Sequence, residues 1–251
     1  MKFTVMFKRM IILVSFLVGL KSFAQEKKVN RENQQWIQYY TQLKFNDKWT
    51  LFTDGGFRWK NDLENSSQYI VRTGIYYKLN SSMAVGAGFA HLGFYDNSGK
   101  INRVEFRPYQ EFNMSTIYKP VTIQHRFRLE ERFFNPVVDD KIKSGSDFNF
   151  RFRYRLLFTV PVFKLSSTDP TKNVALSVGD EIMINAGKEI VSNVFDQNRL
   201  LIGTIVTLDK NFSASLTYNN QFASTKTVGT YNQANIIWLG VTQKINISKS
   251  K

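Results

Sequence analysis

The sequence predicts an all-β chain: an antiparallel transmembrane β-barrel of about twelve strands, with ten as the alternative, behind a cleaved signal peptide. Three observations predict it. Runs of ten or so residues alternate between apolar and polar side chains through most of the chain. Beyond the first 24 residues no apolar run approaches the eighteen that a membrane-crossing helix needs, and the mean hydropathy is −0.29, so a helical bundle in a bilayer is excluded. The N-terminus carries an export signal. Composition sets further bounds: 43% hydrophobic residues with 22 Phe and 11 Tyr among 251 is too apolar for a disordered chain. The lack of Cys excludes disulfide scaffolds, zinc ribbons and thiol chemistry.

The first segment places Lys2, Lys8 and Arg9 before an apolar stretch over 10–20, followed by Ser22-Phe23-Ala24 with small residues at the −3 and −1 positions. Eleven residues make about 16 Å of helix, short of the roughly 30 Å hydrocarbon core, so this is a signal peptide and not an anchor. Cleavage is expected after Ala24, and no Cys follows to carry a lipid. The expected divisions are the signal peptide over 1–24, an N-terminal segment over 25–34 and the barrel over 35–251. The net charge of +14 would suit nucleic acid, but an exported chain does not meet it, so no nucleic acid partner is expected.

Candidate strands run over 36–45, 49–60, 69–79, 83–94, 103–114, 121–133, 148–160, 174–186, 197–208, 212–222 and 235–247. The run over 148–160 is the clearest: Phe148, Phe150, Phe152, Tyr154, Leu156 and Phe158 fall on one face, and Asn149, Arg151, Arg153, Arg155 and Thr159 on the other. No helix sorts a period of two. Ten residues at about 3.4 Å, tilted near 40°, rise roughly 26 Å, the height of a barrel's apolar band. Tight turns at 46–48, 80–82 and 209–211 alternate with longer connections at 61–67, 95–102, 134–147, 187–196 and 223–233, with 161–173 as the exception. Short turns on one side and longer loops on the other suit an outer-membrane barrel. The phase then turns Phe and Leu toward acyl chains and Arg toward the lumen, with Trp36, Trp49, Trp59 and Trp238 in interfacial girdles. Eleven runs are one short of an even count with both termini on one side, so either residues 25–35 supply an additional crossing or one of the runs is two strands or none.

Several local patterns recur in a known order: Trp36 then Tyr39-Tyr40, Lys48-Trp49, Phe57-Arg58, Glu105-Phe106-Arg107, the run from Arg126 through Glu130-Glu131-Arg132, Phe150-Arg151-Phe152-Arg153-Tyr154, Glu181 and Gln197-Asn198-Arg199. In this order they resemble the bacterial outer-membrane β-barrel family of domain of unknown function 2490, from about residue 33 to the C-terminus. The resemblance implies a barrel in the cell outer membrane and adds no chemistry. The chain departs from many outer-membrane proteins in ending on Ser248-Lys249-Ser250-Lys251 and not on an aromatic residue.

The candidate site is the charge that the alternation turns inward. It comprises Arg58, Arg72, Arg103, Arg107, Arg126, Arg128, Arg132, Arg151, Arg153, Arg155 and Arg199, opposed by Asp54, Glu105, Glu111, Glu130 and Glu181. Guanidinium forks pair bidentately with carboxylates, so a structural barrel with a narrow Arg/Glu-filled lumen is the expected role. The alternative is an anion-selective pore that uses the cationic surplus. A lipid-modifying hydrolase is the second alternative. It lacks a visible nucleophile and base, because neither His91 nor His125 has a Ser two residues on, and His125 falls in phase with the apolar face. No catalytic residue, metal or cofactor is expected. Asp139, Asp140 and Asp147 read as loop charge, residues 95–100 as a turn, and Gly86 with Gly88 as relief of crowding in the lumen. The expected partners are outer-membrane lipid and lipopolysaccharide, the barrel-assembly machinery and small anions.

Overall fold

Side chains at i and i+2 share a face of a strand while the backbone between them pairs on both sides, so each alternating run folds as a strand with two neighbours. The computed structural model describes residues 27–188, 190 and 194–247. The expected signal peptide and the start of the expected N-terminal segment lie outside them. The strands are β1 (Lys28–Lys44), β2 (Trp49–Lys60), β3 (Asn65–Lys78), β4 (Met83–Tyr95), β5 (Ile101–Tyr118), β6 (Val121–Val138), β7 (Lys141–Ile142), β8 (Asp147–Lys164), β9 (Asn173–Ala186), β10 (Phe195–Thr207), β11 (Phe212–Ser224) and β12 (Thr230–Asn246). Eleven of the twelve close a barrel, each antiparallel to its neighbours except at one seam. The twelfth, β7, is a two-residue extension pairing with the end of β6.

An odd number of up-and-down strands leaves the first and last running the same way, and here β1 and β12 close the barrel in parallel, from Lys28↔Thr230 to Lys44↔Asn246. This corrects the expectation of an additional crossing from 25–35: residues 28–35 lengthen β1. It also separates the ends. Lys28 lies at the rim of the 61–64 turn and Asn246 at the rim of the 45–48 turn, where both ends were expected on one side. The loop asymmetry shrinks as well, because the ladders continue through the polar residues Asn65–Gln68 and Thr230–Gln233 that read as loop. A backbone ladder needs no apolar face to persist. At 139–140 the chain reverses in a tight hairpin with Asp139 and Asp140 at φ 53° and 57°, both left-handed, as a two-residue type I′ loop requires. At 96–100 the Asp96 carboxylate accepts the Ser98 hydroxyl and the backbone N–H of Ser98 and Lys100, contacts that hold its pKa below the ordinary value.

Following paired residues from Lys44 through Thr50, Tyr76, Gly86, Glu111, Arg128, Arg153, Met183, Gln197, Ala223 and Asn232 returns to β1 at Asn30, an offset of 44 − 30 = 14 residues. For eleven strands this offset tilts each by roughly 42°, using about 3.4 Å per residue and about 4.8 Å between strands. The shortest barrel strand, β2 with 12 residues, then rises about 30 Å.

The two faces sort as the alternation requires. Phe127, Phe152, Ile182, Leu200 and Ile202 are exposed outward, whereas Glu105, Arg128, Glu130, Arg153 and Glu181 are buried in the lumen. Outward aromatics gather near one rim, where Phe57 meets Trp59 and Tyr95, Phe148 meets Phe133 and Phe150, and Phe222 meets Phe195 and Tyr231. Trp49 packs against Tyr77, tilted by 59°, at the other. Two tryptophans depart from the expected girdles. Trp36 and Trp238 are register partners that share the phase of Gln34 and Gln38, so both indoles point inward, 5.3 Å apart, while their neighbours Ile37, Ile237 and Leu239 are exposed.

Glycine makes room for inward rings. Gly74 and Gly88 pair across β3 and β4, and a Cβ on either would stand 2.4 Å from the Tyr109 hydroxyl; on Gly88 it would also meet the Thr73 carbonyl at 2.3 Å. Gly88→Val is expected to destabilise the barrel by about 1–3 kcal/mol or more, since a backbone carbonyl cannot step aside, and the midpoint of urea unfolding checks it.

Candidate functional site: the charged lumen

On β5, β6 and β8 the alternation places charged side chains at successive inward positions, and β9 adds Glu181. Register then sets like charges opposite each other: Arg128 faces Arg153, and Arg126 faces Arg155. Such pairs repel unless carboxylates come between them, and four buried glutamates do. Glu105 is bound bidentately by Arg107, at 2.6 and 2.7 Å, and receives Arg132 Nε at 2.8 Å. Glu130, with no exposed surface, takes Arg151 Nε at 2.7 Å and Arg153 Nη1 at 2.6 Å, with Arg107 and Arg128 at 3.7 and 3.8 Å. Glu111 accepts Arg128, with Asn113 at 2.7 Å. Glu181 joins Arg126 to Arg153, the latter at 2.8 Å, and lies 3.6 Å from Arg199.

The opposite wall is less charged. Arg72 and Asp54 pair across β2 and β3 at 3.0 Å, and Gln38 also donates to Asp54. Arg58 donates to Gln68 at 2.7 Å, with its guanidinium 3.8 Å above the Trp36 ring. Arg199 donates to Gln221 at 3.0 Å and lies 5.4 Å from the same ring. Arg103 lies apart near the rim, over Phe94 and Phe134. Arg155 makes no hydrogen bond or ion pair among the described residues, and it lines the space the network leaves. That space is a cavity of about 900 Å³ between the network and the β1–β4 wall, whose lining reaches from Ser82 near one rim to Lys60 and Phe94 near the other.

Sequence reasoning missed several members. Asp196 accepts Arg151 at 3.0 Å and Asn185 at 3.2 Å, yet reads as loop because a bulge between Phe195 and Gln197 breaks the alternation that would have marked it. Gln38, Tyr40, Gln68 and Gln221 line the cavity as polar neutral groups, for which the only signal was their phase. The two histidines lie on the outer face. His91 Nε2 meets the Tyr69 hydroxyl and His125 Nδ1 the Tyr154 hydroxyl, each at 2.9 Å.

The family described as "Protein of unknown function (DUF2490)" matches residues 33–232, from within β1 to the start of β12, and so takes in every charged residue of the network. The chain belongs to this family. No curated protein matches the chain. The DUF2490 match therefore covers all but the start of β1 and most of β12 in a closed barrel around buried Arg/Glu pairs.

A buried ion pair is not stabilising in itself, but removing one partner strands the other in a low-dielectric site. Glu130→Gln, which strips the carboxylate shared by Arg151 and Arg153, is expected to lose about 3–5 kcal/mol of unfolding free energy. Arg103→Gln, which strands no bonded carboxylate, is expected to lose well under half as much by the same denaturant titration.

Proposed function

We propose that this protein is an outer-membrane β-barrel with a structural role, its lumen braced by the Arg/Glu network. Its partners are outer-membrane lipid and lipopolysaccharide on the outer face, and the barrel-assembly machinery during insertion. The observation that carries the reading is the sorting of the two faces: an apolar exterior edged by aromatic rings encloses guanidinium and carboxylate groups that are almost wholly buried. A water-soluble barrel gains nothing from exposing Phe127, Phe152, Ile182 and Ile202 while burying its arginines; acyl chains reverse that balance. The export signal and a height of about 30 Å support the same setting. Phe152→Arg is expected to cost about 2–4 kcal/mol in protein refolded into lipid bilayers, as for a cation near the midplane. A cost near zero contradicts the proposed facing.

A second reading, an anion-selective pore, is favoured by the cations that face the cavity without a bonded carboxylate, Arg58 and Arg155. Purified protein in planar bilayers distinguishes the two. Anion-selective conductance steps that lose selectivity in Arg155→Gln support the pore. Silent membranes holding a heat-modifiable, folded barrel leave the bracing role alone.

A further inference from the structure

The lumen network is unbalanced. Eleven guanidinium groups face six carboxylates, Asp196 included; apart from Arg103 near the rim, the guanidiniums without a bonded carboxylate among the described residues, Arg58 and Arg155, line the cavity. Arg126 and Arg155 stand opposite each other on β6 and β8. Arg126 spends Nη2 on Glu181, while its buried Nε has no hydrogen-bond partner and lies 3.8 Å from Glu111; Arg155 has no bonded partner among the described residues. Arg58, also lining the cavity, is held among the described residues by the amide oxygen of Gln68 and the face of Trp36. Arg58 and Arg155 both line the cavity, as does Tyr40. Beside them the indole Nε1 of Trp238, also buried and lining the cavity, has no acceptor.

These groups are N–H donors, and a buried donor without a partner carries its full desolvation penalty. A halide offers no fork for two guanidiniums. An oxyanion with several oxygens accepts from both, and planar guanidinium geometry matches it bidentately. Phosphate alone would leave most of a 900 Å³ cavity empty, a volume within the range of small-molecule sites, and the edge-to-face Trp36–Trp238 pair offers the remainder an apolar corner. We infer that the lumen cavity binds a small organic phosphate, its phosphate held by Arg126 and Arg155 with Arg58 opposite, and its body against the two indoles. The inference rests on the closed lumen and not on the membrane setting, and it holds whether or not the barrel conducts.

The test is calorimetric titration of the detergent-purified full chain with phenyl phosphate, inorganic phosphate, benzoate and chloride at constant ionic strength, with tryptophan fluorescence as a second readout. Phenyl phosphate is expected to bind saturably at one site per chain, more tightly than inorganic phosphate or benzoate, and chloride should not compete. Arg155→Gln is expected to weaken it at least tenfold and Arg155→Lys to recover part of the loss. Because Arg155 makes no hydrogen bond or ion pair among the described residues, both variants should keep heat-modifiable mobility; Arg58→Gln gives an independent arm from the other wall. Lys226→Gln, at an exposed position in the β11–β12 connection outside the cavity lining, controls for net charge. Absence of saturable binding at millimolar phenyl phosphate overturns the inference, as does equal affinity in Arg155→Gln and wild type, or chloride competing as well as phosphate. Binding with silent bilayers leaves the bracing role standing; conduction without saturable binding sinks the site and keeps the pore.

Discussion

Charge buried in a closed lumen has to be answered from within the lumen, and that constraint organises this barrel. Once alternation turns a column of arginines inward on β6 and another on β8, register sets them face to face, and each glutamate must serve more than one guanidinium. The resulting bonds join strands that the backbone ladder does not. Glu181 on β9 reaches Arg126 on β6, and Asp196 on β10 reaches Arg151 on β8, each passing over an intervening strand. These links act as chords across the barrel, so the network fixes register in addition to neutralising charge.

The parallel seam between β1 and β12 belongs to the same balance. On that side the lumen is lined by Trp36, Gln38, Tyr40 and Trp238, and the charge density drops. Bulk is supplied by rings lying on glycines, with Tyr76 over Gly86 and Tyr109 over the Gly74–Gly88 pair. One half of the barrel is therefore filled by ion pairs and the other keeps a cavity. Arg58 and Arg155, neither with a bonded carboxylate among the described residues, both line that cavity.

Much of this was legible in the sequence, for a physical reason: a period of two is the same signal in a list of residues as in a pleated strand. The facing of Phe152 against Arg153 needs nothing more, and the pairing of Glu130 with its neighbours needs only that facing together with charge. Features resting on a break in the pattern were not legible. Asp196 turns inward through a bulge, and the ends of β3 and β12 continue as strands through polar residues that read as loop. Trp36 was misplaced because an indole suits both an interface and a lumen, and its side is decided by Ile37 beside it. The parallel closure is a property of the strand count and had no local signature.

The sorting of the two faces is tested most directly by a spin-label scan of positions 148–159 in the protein reconstituted into lipid vesicles, comparing collisions with oxygen, which partitions into acyl chains, against a water-soluble nickel chelate. Labels at 150, 152, 154 and 156 are expected to favour oxygen, and those at 151, 153 and 155 to be shielded from it, in strict alternation. The opposite phase, or nickel access equal at every position, would contradict an apolar exterior set in lipid around a charged lumen.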